Sequence, residues 1–328
     1  MRIISREQVS QLVPMHRVID AVAQAFAQLA AGEAVVPLRQ HVAVPPVDGL
    51  VLLMPAYLQA SDALGVKLLT VFPQNAASDL PTIQALVVLF DTATGTPLAL
   101  MDGTYLTALR TGAASGVATQ AMARDDAHTL ALFGAGATAF HQVLAVCTVR
   151  PITRVLLVNR SAERAVQLAE TLRGFGTPIP PDVRVAPSAA VALREADIVC
   201  LATAATTPLF DDADVRPGTH INGIGSYTPT MQELPGATVA RARVIVDQRQ
   251  AAWAEAGDLI IPRNAGMISE SHVVAALGEI VRGSVRGRTS DSEITFFKSV
   301  GNAVQDVAVA RLAYTLAQKA GVGTEIVL

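Results

Sequence analysis

Charge is scarce in this chain of 328 residues: Lys, Arg, Asp and Glu make up 16%, against 51% hydrophobic residues. The formal balance is −3, from 25 basic and 28 acidic residues, and no run of either sign occurs. A basic nucleic-acid groove and a charged membrane-binding patch are therefore not expected, and so apolar a composition excludes global disorder. Long apolar runs are missing too, although mean hydropathy is +0.40. Stretches such as Ala85–Phe90 and Ile198–Ala202 fall far short of the roughly 20 residues a membrane span needs. Met1–Gln11 carries Arg2, Arg6 and Glu7 without the apolar core of a secretory signal, so none is expected. Only two cysteines are present, Cys147 and Cys200, outside any CxxC pattern and without a histidine at ligand spacing. That argues for inert buried thiols in a cytoplasmic protein, not for a disulfide framework or a zinc site. The six histidines form no HxH or HExxH pattern, so no metal site is expected. Scarce charge points to surface buried in an oligomer, although abundant alanine accounts for part of the low fraction.

What the chain does have is alternation. From 129 to 248, apolar runs of strand length (Thr129–Phe133, Arg154–Val158, Val183–Ala186, Ile198–Ala202, His220–Ile224 and Val244–Val246) are interleaved with helical stretches at about 138–149, 161–173 and 188–195. Ser188 is placed to cap the third stretch. Strands separated by helices predict βαβ units and a doubly wound parallel sheet covered on both faces. The N-terminal third differs. An amphipathic helix over Arg17–Ala31 precedes five strands, Arg39–Val44, Gly49–Met54, Leu64–Val71, Ile83–Asp91 and Pro97–Asp102, separated by Pro, Gly and Asp turns. This predicts an α+β unit with a mostly antiparallel sheet. A helix over Thr104–Arg124 leads out of it, and a last helix over Gly301–Ala320 returns to it.

Gly134-Ala135-Gly136-Ala137-Thr138-Ala139 reads GxGxxA, after a strand and at the start of a helix inside a βαβ unit. That context identifies a dinucleotide site. The first glycine permits the tight turn, the second lets backbone approach a diphosphate, and Ala139 allows close helix–strand packing. An NAD site places an acid at the end of the second strand, to hold the ribose 2′-hydroxyl. Here the chain reads Asn159-Arg160-Ser161. A planar cation flanked by donors suits a 2′-phosphate, so NADP(H) is the expected cofactor and NAD(H) the alternative. An Arg that merely ends a surface strand is the plainer reading. Thr203 ends the fourth strand, where a dinucleotide crosses the sheet edge.

Met54-Pro55-Ala56-Tyr57-Leu58, Gly65-Val66-Lys67, Leu106-Thr107-Ala108-Leu109-Arg110-Thr111-Gly112-Ala113-Ala114-Ser115, the GAGATA segment and Phe297-Lys298-Ser299-Val300-Gly301-Asn302-Ala303 together resemble the ornithine cyclodeaminase/μ-crystallin family, essentially end to end. The resemblance implies a substrate-binding and dimerisation domain from residues 1–118 with 300–328, a Rossmann domain over 119–299, and a homodimer. It implies NAD(P)-linked chemistry at the α-carbon of small imino or amino acids. It carries the substrate-carboxylate cations, which also serve as the catalytic residues, onto Lys67 and Arg110, with Arg39 beside them, and sets Ser299 and Gly301 next to the nicotinamide. The residues themselves agree in part. Lys67 lies in an apolar strand and Arg110 among Thr, Ala and Leu, and buried cations need anions. An internal ion pair with Asp91 or Asp102 would satisfy that need as well as a substrate.

The departures narrow the activity. Cyclodeaminases carry a Glu where this chain has Leu52, and an Asp after the fifth Rossmann strand where it has Tyr227. Both acid–base groups for ammonia elimination and ring closure are missing. Gly-Ser-Tyr-Thr-Pro looks like the subgroup that reduces cyclic imines such as Δ1-pyrroline-2-carboxylate to L-proline. The expected activity is thus NADPH-dependent reduction of a cyclic α-imino acid. Ornithine cyclodeamination, an alanine-type dehydrogenase and a non-catalytic NADPH-dependent binder are the competing readings. Asp247 is read as either a ribose contact or a structural cap, and Asp258 receives no role.

Overall fold

The computed structural model of the chain describes residues 1–78 and 80–327. Its internal contacts divide it into two units, Met1–Arg110 with Asn302–Leu328, and Thr111–Gly301. The division falls inside one helix, between Arg110 and Thr111, where the sequence placed it at residue 118.

The first unit begins with β1 (Arg2–Ile4) and α1 (Arg6–Leu12). Ser5 opens α1 with a capping box, accepting from the Gln8 N–H while the Gln8 side chain accepts from its own. Next comes α2 (Met15–Ala31), which buries Met15, Val18, Ile19, Val22, Ala25 and Phe26 along one face, at the three- and four-residue spacing of an amphipathic helix. The sheet then builds through β2 (Ala34–Val35), β3 (Gln40–Val44), β4 (Gly49–Leu58), β5 (Ala63–Val71), β6 (Ile83–Phe90) and β7 (Pro97–Asp102), every neighbouring pair antiparallel. Only β1 adds in parallel, against β7. Strand β4 runs through Pro55 to Leu58, four residues beyond the expected end at Met54. Proline is tolerated there because β3 pairs with Gly49–Leu53 and β2 with Tyr57–Leu58. Pro55 sits in the gap between them, where a missing donor costs no ladder bond. Helix α3 (Gly103–Met122) then leaves the unit.

The second unit carries β8 (Thr129–Phe133), α4 (Ala139–Val149), β9 (Arg154–Val158), α5 (Ala162–Phe175), β10 (Val183–Val185), α6 (Ala189–Glu195), β11 (Ile198–Leu201), β12 (His220–Gly223), α7 (Gly236–Arg241), β13 (Arg243–Val246), α8 (Arg249–Glu255), α9 (Gly257–Asn264), β14 (Val273–Ala276), α10 (Leu277–Val281) and β15 (Thr295–Lys298). The strand order is β10-β9-β8-β11-β12-β15-β13-β14, and all pairs are parallel. Every residue of β8, β11, β12 and β15 is buried, as expected for a sheet covered on both faces. This is the α/β doubly wound arrangement read from the alternation. The order reverses between β8 and β11, which is where such sheets open a ligand crevice. The four-residue β15 was legible only as part of a motif, and it inserts between β12 and β13.

The chain returns to the first unit as α11 (Ala303–Ala320), whose N-cap Asn302 accepts from the Val304 N–H at 3.0 Å. Helix α11 packs on α2 and across β4, β5 and β6. Last, β16 (Thr324–Glu325) pairs antiparallel with β1. Among the described residues no helix is long and apolar enough to cross a membrane.

Candidate active site

In the second unit a groove of about 420 Å³ opens at the strand-order reversal. Gly134, Ala135 and Gly136 form one side, Asn159, Arg160 and Arg164 the far end, and Ala202–Ala205 the opposite wall. Gly134 has φ +105°, and a Cβ there would stand 2.4 Å from the Ala202 carbonyl oxygen. A Cβ on Gly136 would meet nothing within 4 Å, so glycine at that position keeps open the space a diphosphate needs. No side chain caps α4, whose positive end follows directly on the Gly134–Gly136 turn that lines the groove. These features fit a dinucleotide.

Of the other residues assigned to the cofactor, Ala137, Thr138 and Ala139 form the turn into α4, with the Ala139 N–H donating to the Gly136 carbonyl at 3.1 Å. Thr203 lines the groove. Ser161 caps α5, accepting from the Arg164 N–H at 3.3 Å, and the Asn159 amide donates to the Ser161 carbonyl at 2.8 Å. Asn159 and Ser161 therefore shape the strand end that presents Arg160. Arg164, one helical turn on, is a second groove cation that the sequence reading missed. Among the described residues neither arginine makes an ion pair, and both are exposed. Ser299 and Gly301 follow β15 and are held by Asp247, which accepts from the Ser299 hydroxyl at 2.8 Å and from the Val300 and Gly301 N–H groups at 2.9 Å. Of the two roles weighed for Asp247, the structure displays the cap.

In the first unit, Lys67 on β5 and Arg110 on α3 are buried and meet at one carboxylate. Asp306, in the first turns of α11, accepts from Lys67 Nζ at 2.7 Å and from Arg110 Nε at 3.0 Å. Arg110 also donates to Gln305 Oε1. The internal anion is thus Asp306, not Asp91 or Asp102. Asp91 instead holds its own turn through Thr94, and Asp102 accepts from the Tyr105 N–H. Two cations share one anion in a site with almost no solvent, which leaves a surplus positive charge. Arg39, just before β3, adds to the field at Lys67. Burial pushes the Lys67 ammonium down to about 8; Asp306 opposes the shift, and Arg110 and Arg39 reinforce it. Leu52 is buried on β4 opposite Leu69, two residues along and on the same face as the Met54–Lys67 pair. The place where a cyclodeaminase-type acid would stand is apolar. Tyr227, its second departure, lies largely exposed in the loop after β12. The two cysteines are free and buried, with burial pushing both thiols up to about 12, so they take no part at neutral pH.

Residues 1–321 match the ornithine cyclodeaminase/mu-crystallin family. The chain belongs to that family. Its full-length relatives are reductases and dehydrogenases, and it is an oxidoreductase that uses a nicotinamide cofactor. A Delta(1)-pyrroline-2-carboxylate reductase of Bacillus cereus is 42% identical over 328 residues, covering 99% of each chain. The solved structure of the Thermococcus litoralis Delta(1)-pyrroline-2-carboxylate reductase, in complex with NADH and L-proline, superposes with a TM-score of 0.95 at 41% identity, over 99% of this chain and all of that one. An archaeal alanine dehydrogenase dimer with bound NAD superposes with a TM-score of 0.92 at 34% identity, over 100% and 99%.

Proposed function

We propose that this protein reduces a cyclic α-imino acid of the Δ1-pyrroline-2-carboxylate type to the corresponding L-amino acid, L-proline in the simplest case, with NADPH preferred over NADH. The observation that carries this reading is the pair of buried cations on one internal carboxylate beside an apolar Leu52. The surplus positive charge of Lys67 and Arg110 over Asp306 matches one substrate carboxylate, bound by the arginine fork and the lysine point charge. Bound cofactor supplies the hydride. Near neutral pH the Lys67 ammonium, at about 8, holds its proton yet can lend it to a ring nitrogen. Neither Leu52 nor Tyr227 supplies the carboxylate that ammonia elimination requires, and a cyclic imine needs neither. The relatives named Delta(1)-pyrroline-2-carboxylate reductase support the same substrate class.

NADPH preference is supported by Arg160 and Arg164 at the far end of the groove and by the lack of an acid at Asn159–Ser161, where β9 ends. A homodimer through the first unit's sheet is supported by the face opposite α11. There Leu86 is 47% and, across the sheet on the same face, Val42 54% exposed, apolar side chains of the kind an interface covers. The test is loss of NADPH absorbance with Δ1-pyrroline-2-carboxylate, with pyruvate plus ammonia as the open-chain comparison, and L-ornithine with NAD+ as the cyclodeaminase arm. Turnover of the cyclic imine without proline formation from ornithine is expected. Comparable ammonia release from ornithine would overturn the reading.

A further inference from the structure

The second unit buries a charged cluster that the reaction as described does not use. Glu233 lies on the segment between β12 and α7, fully buried. One of its carboxylate oxygens accepts from the Thr203 N–H at 2.7 Å and the Thr203 hydroxyl at 2.8 Å. The other accepts from the Gly225 N–H at 2.8 Å and the Ser226 N–H at 3.0 Å. A single carboxylate thereby ties the loop after β11 to the loop after β12. Gly225 is glycine because a Cβ there would stand 2.2 Å from the Thr203 carbonyl oxygen and 2.5 Å from the Glu233 carboxylate. The clip has its own anchor. Asp258, at the start of α9, accepts from the Glu233 and Leu234 N–H groups at 2.7 and 3.0 Å, and its other oxygen accepts from Lys298 Nζ at 3.0 Å.

What Glu233 holds is a wall of the dinucleotide groove. Ala202–Ala205 line that groove, and the Ala202–Thr203 segment is the surface against which Gly134 packs. We propose that Glu233 is a positioning residue for the cofactor, its ionised carboxylate fixing the Ala202–Ala205 wall against the Gly134 turn. The proposal rests on the dinucleotide groove alone and is independent of which imino acid is reduced. Four donors converge on the two oxygens, and only a carboxylate accepts from all four. A glutamine at the same position would turn its amide N–H₂ toward donors.

The charged groups that face Glu233 are Asp258 and Lys298, while the two loops present only N–H groups and the Thr203 hydroxyl. Burial pushes the Glu233 carboxyl up to about 6; Lys298 opposes the shift and Asp258 reinforces it. As pH falls through that value the carboxyl takes up a proton, loses accepting capacity and releases part of the wall.

The experiment measures binding of NAD+ by calorimetry from about pH 5 to about pH 8, because NAD+ lacks the monoester phosphate of NADP+, which itself titrates near pH 6. In the unaltered protein the dissociation constant is expected to rise as pH drops below about 6. Glu233→Gln is expected to raise it about tenfold at neutral pH, as for a lost set of charge-assisted hydrogen bonds, and to flatten its pH dependence. At saturating cofactor, kcat of the variant should stay near that of the unaltered enzyme while the cofactor KM rises. A merely structural residue would instead lower melting temperature and kcat together. An unaltered protein whose NAD+ affinity is flat across this range, which needs no variant to fold, overturns the proposal. So does a Glu233→Gln protein that binds NAD+ as tightly as the original.

Discussion

Replacing Arg110 by methionine tests the proposed carboxylate site with a magnitude the geometry sets. The cluster holds two cations, Lys67 and Arg110, and one anion, Asp306. Without Arg110 it carries one of each, and the surplus charge that would receive a substrate carboxylate is gone. Breaking a buried charge pair costs about 2–5 kcal/mol. Here Asp306 keeps Lys67 at 2.7 Å, so no stranded buried carboxylate adds to the penalty. The loss of transition-state stabilisation therefore belongs at the lower end, about 2–3 kcal/mol, or roughly 30- to 150-fold in kcat/KM. Two side effects distinguish this from general damage. Arg110 is one of the charges that lowers the Lys67 pKa, so its removal should move the alkaline limb of kcat/KM upward from about 8. The Gln305 carbonyl loses the donor it has in Arg110, an unmet acceptor costing about 1–3 kcal/mol, so the melting temperature should fall by several degrees. Affinity for NADPH should not change, because the groove is lined by residues between Phe133 and Leu209. Stopped-flow or steady-state reduction of Δ1-pyrroline-2-carboxylate at several pH values reads all of this. Turnover within a few-fold of the original enzyme, or a loss matched by weaker cofactor binding, would refute the carboxylate assignment.

Three further outcomes are expected. In the unaltered enzyme kcat/KM should be level below pH about 8 and fall above it as Lys67 loses its proton, while the limb in kcat should lie higher, since a bound carboxylate favours the charged lysine; a pH-independent kcat/KM up to pH about 10 would remove Lys67 from the reaction. Arg160→Ala should weaken NADPH by about tenfold and NADH by little, since the lost interaction is with a 2′-phosphate; equal losses, measured by fluorescence titration of both cofactors, would contradict the preference. Light scattering at micromolar concentration should report a dimer, and Leu86→Asp on the exposed sheet face should shift it toward monomer; a monomeric original protein would exclude the assembly.

The parts of this protein that a local pattern encodes were legible without coordinates. Alternating runs predicted the parallel sheet, and the GxGxxA turn between β8 and α4 named its own ligand class, because strand period, helix cap and glycine conformation all operate within a dozen residues. Lys67 and Arg110 stood out for a similar reason, as cations in apolar surroundings. Their anion did not. Asp306 lies 239 residues beyond Lys67, and what joins them is the packing of α11 across β5, which no periodicity along the chain records. Glu233, Asp258 and Lys298 were hidden in the same way. From the sequence Asp258 receives no role, Lys298 figures only within a motif and Glu233 does not stand out, and the Lys298–Asp258 contact spans 40 residues. Only the tertiary structure decided which buried charge meets which, because burial makes an ion choose a partner in space, and the fold brings together residues that the chain keeps apart.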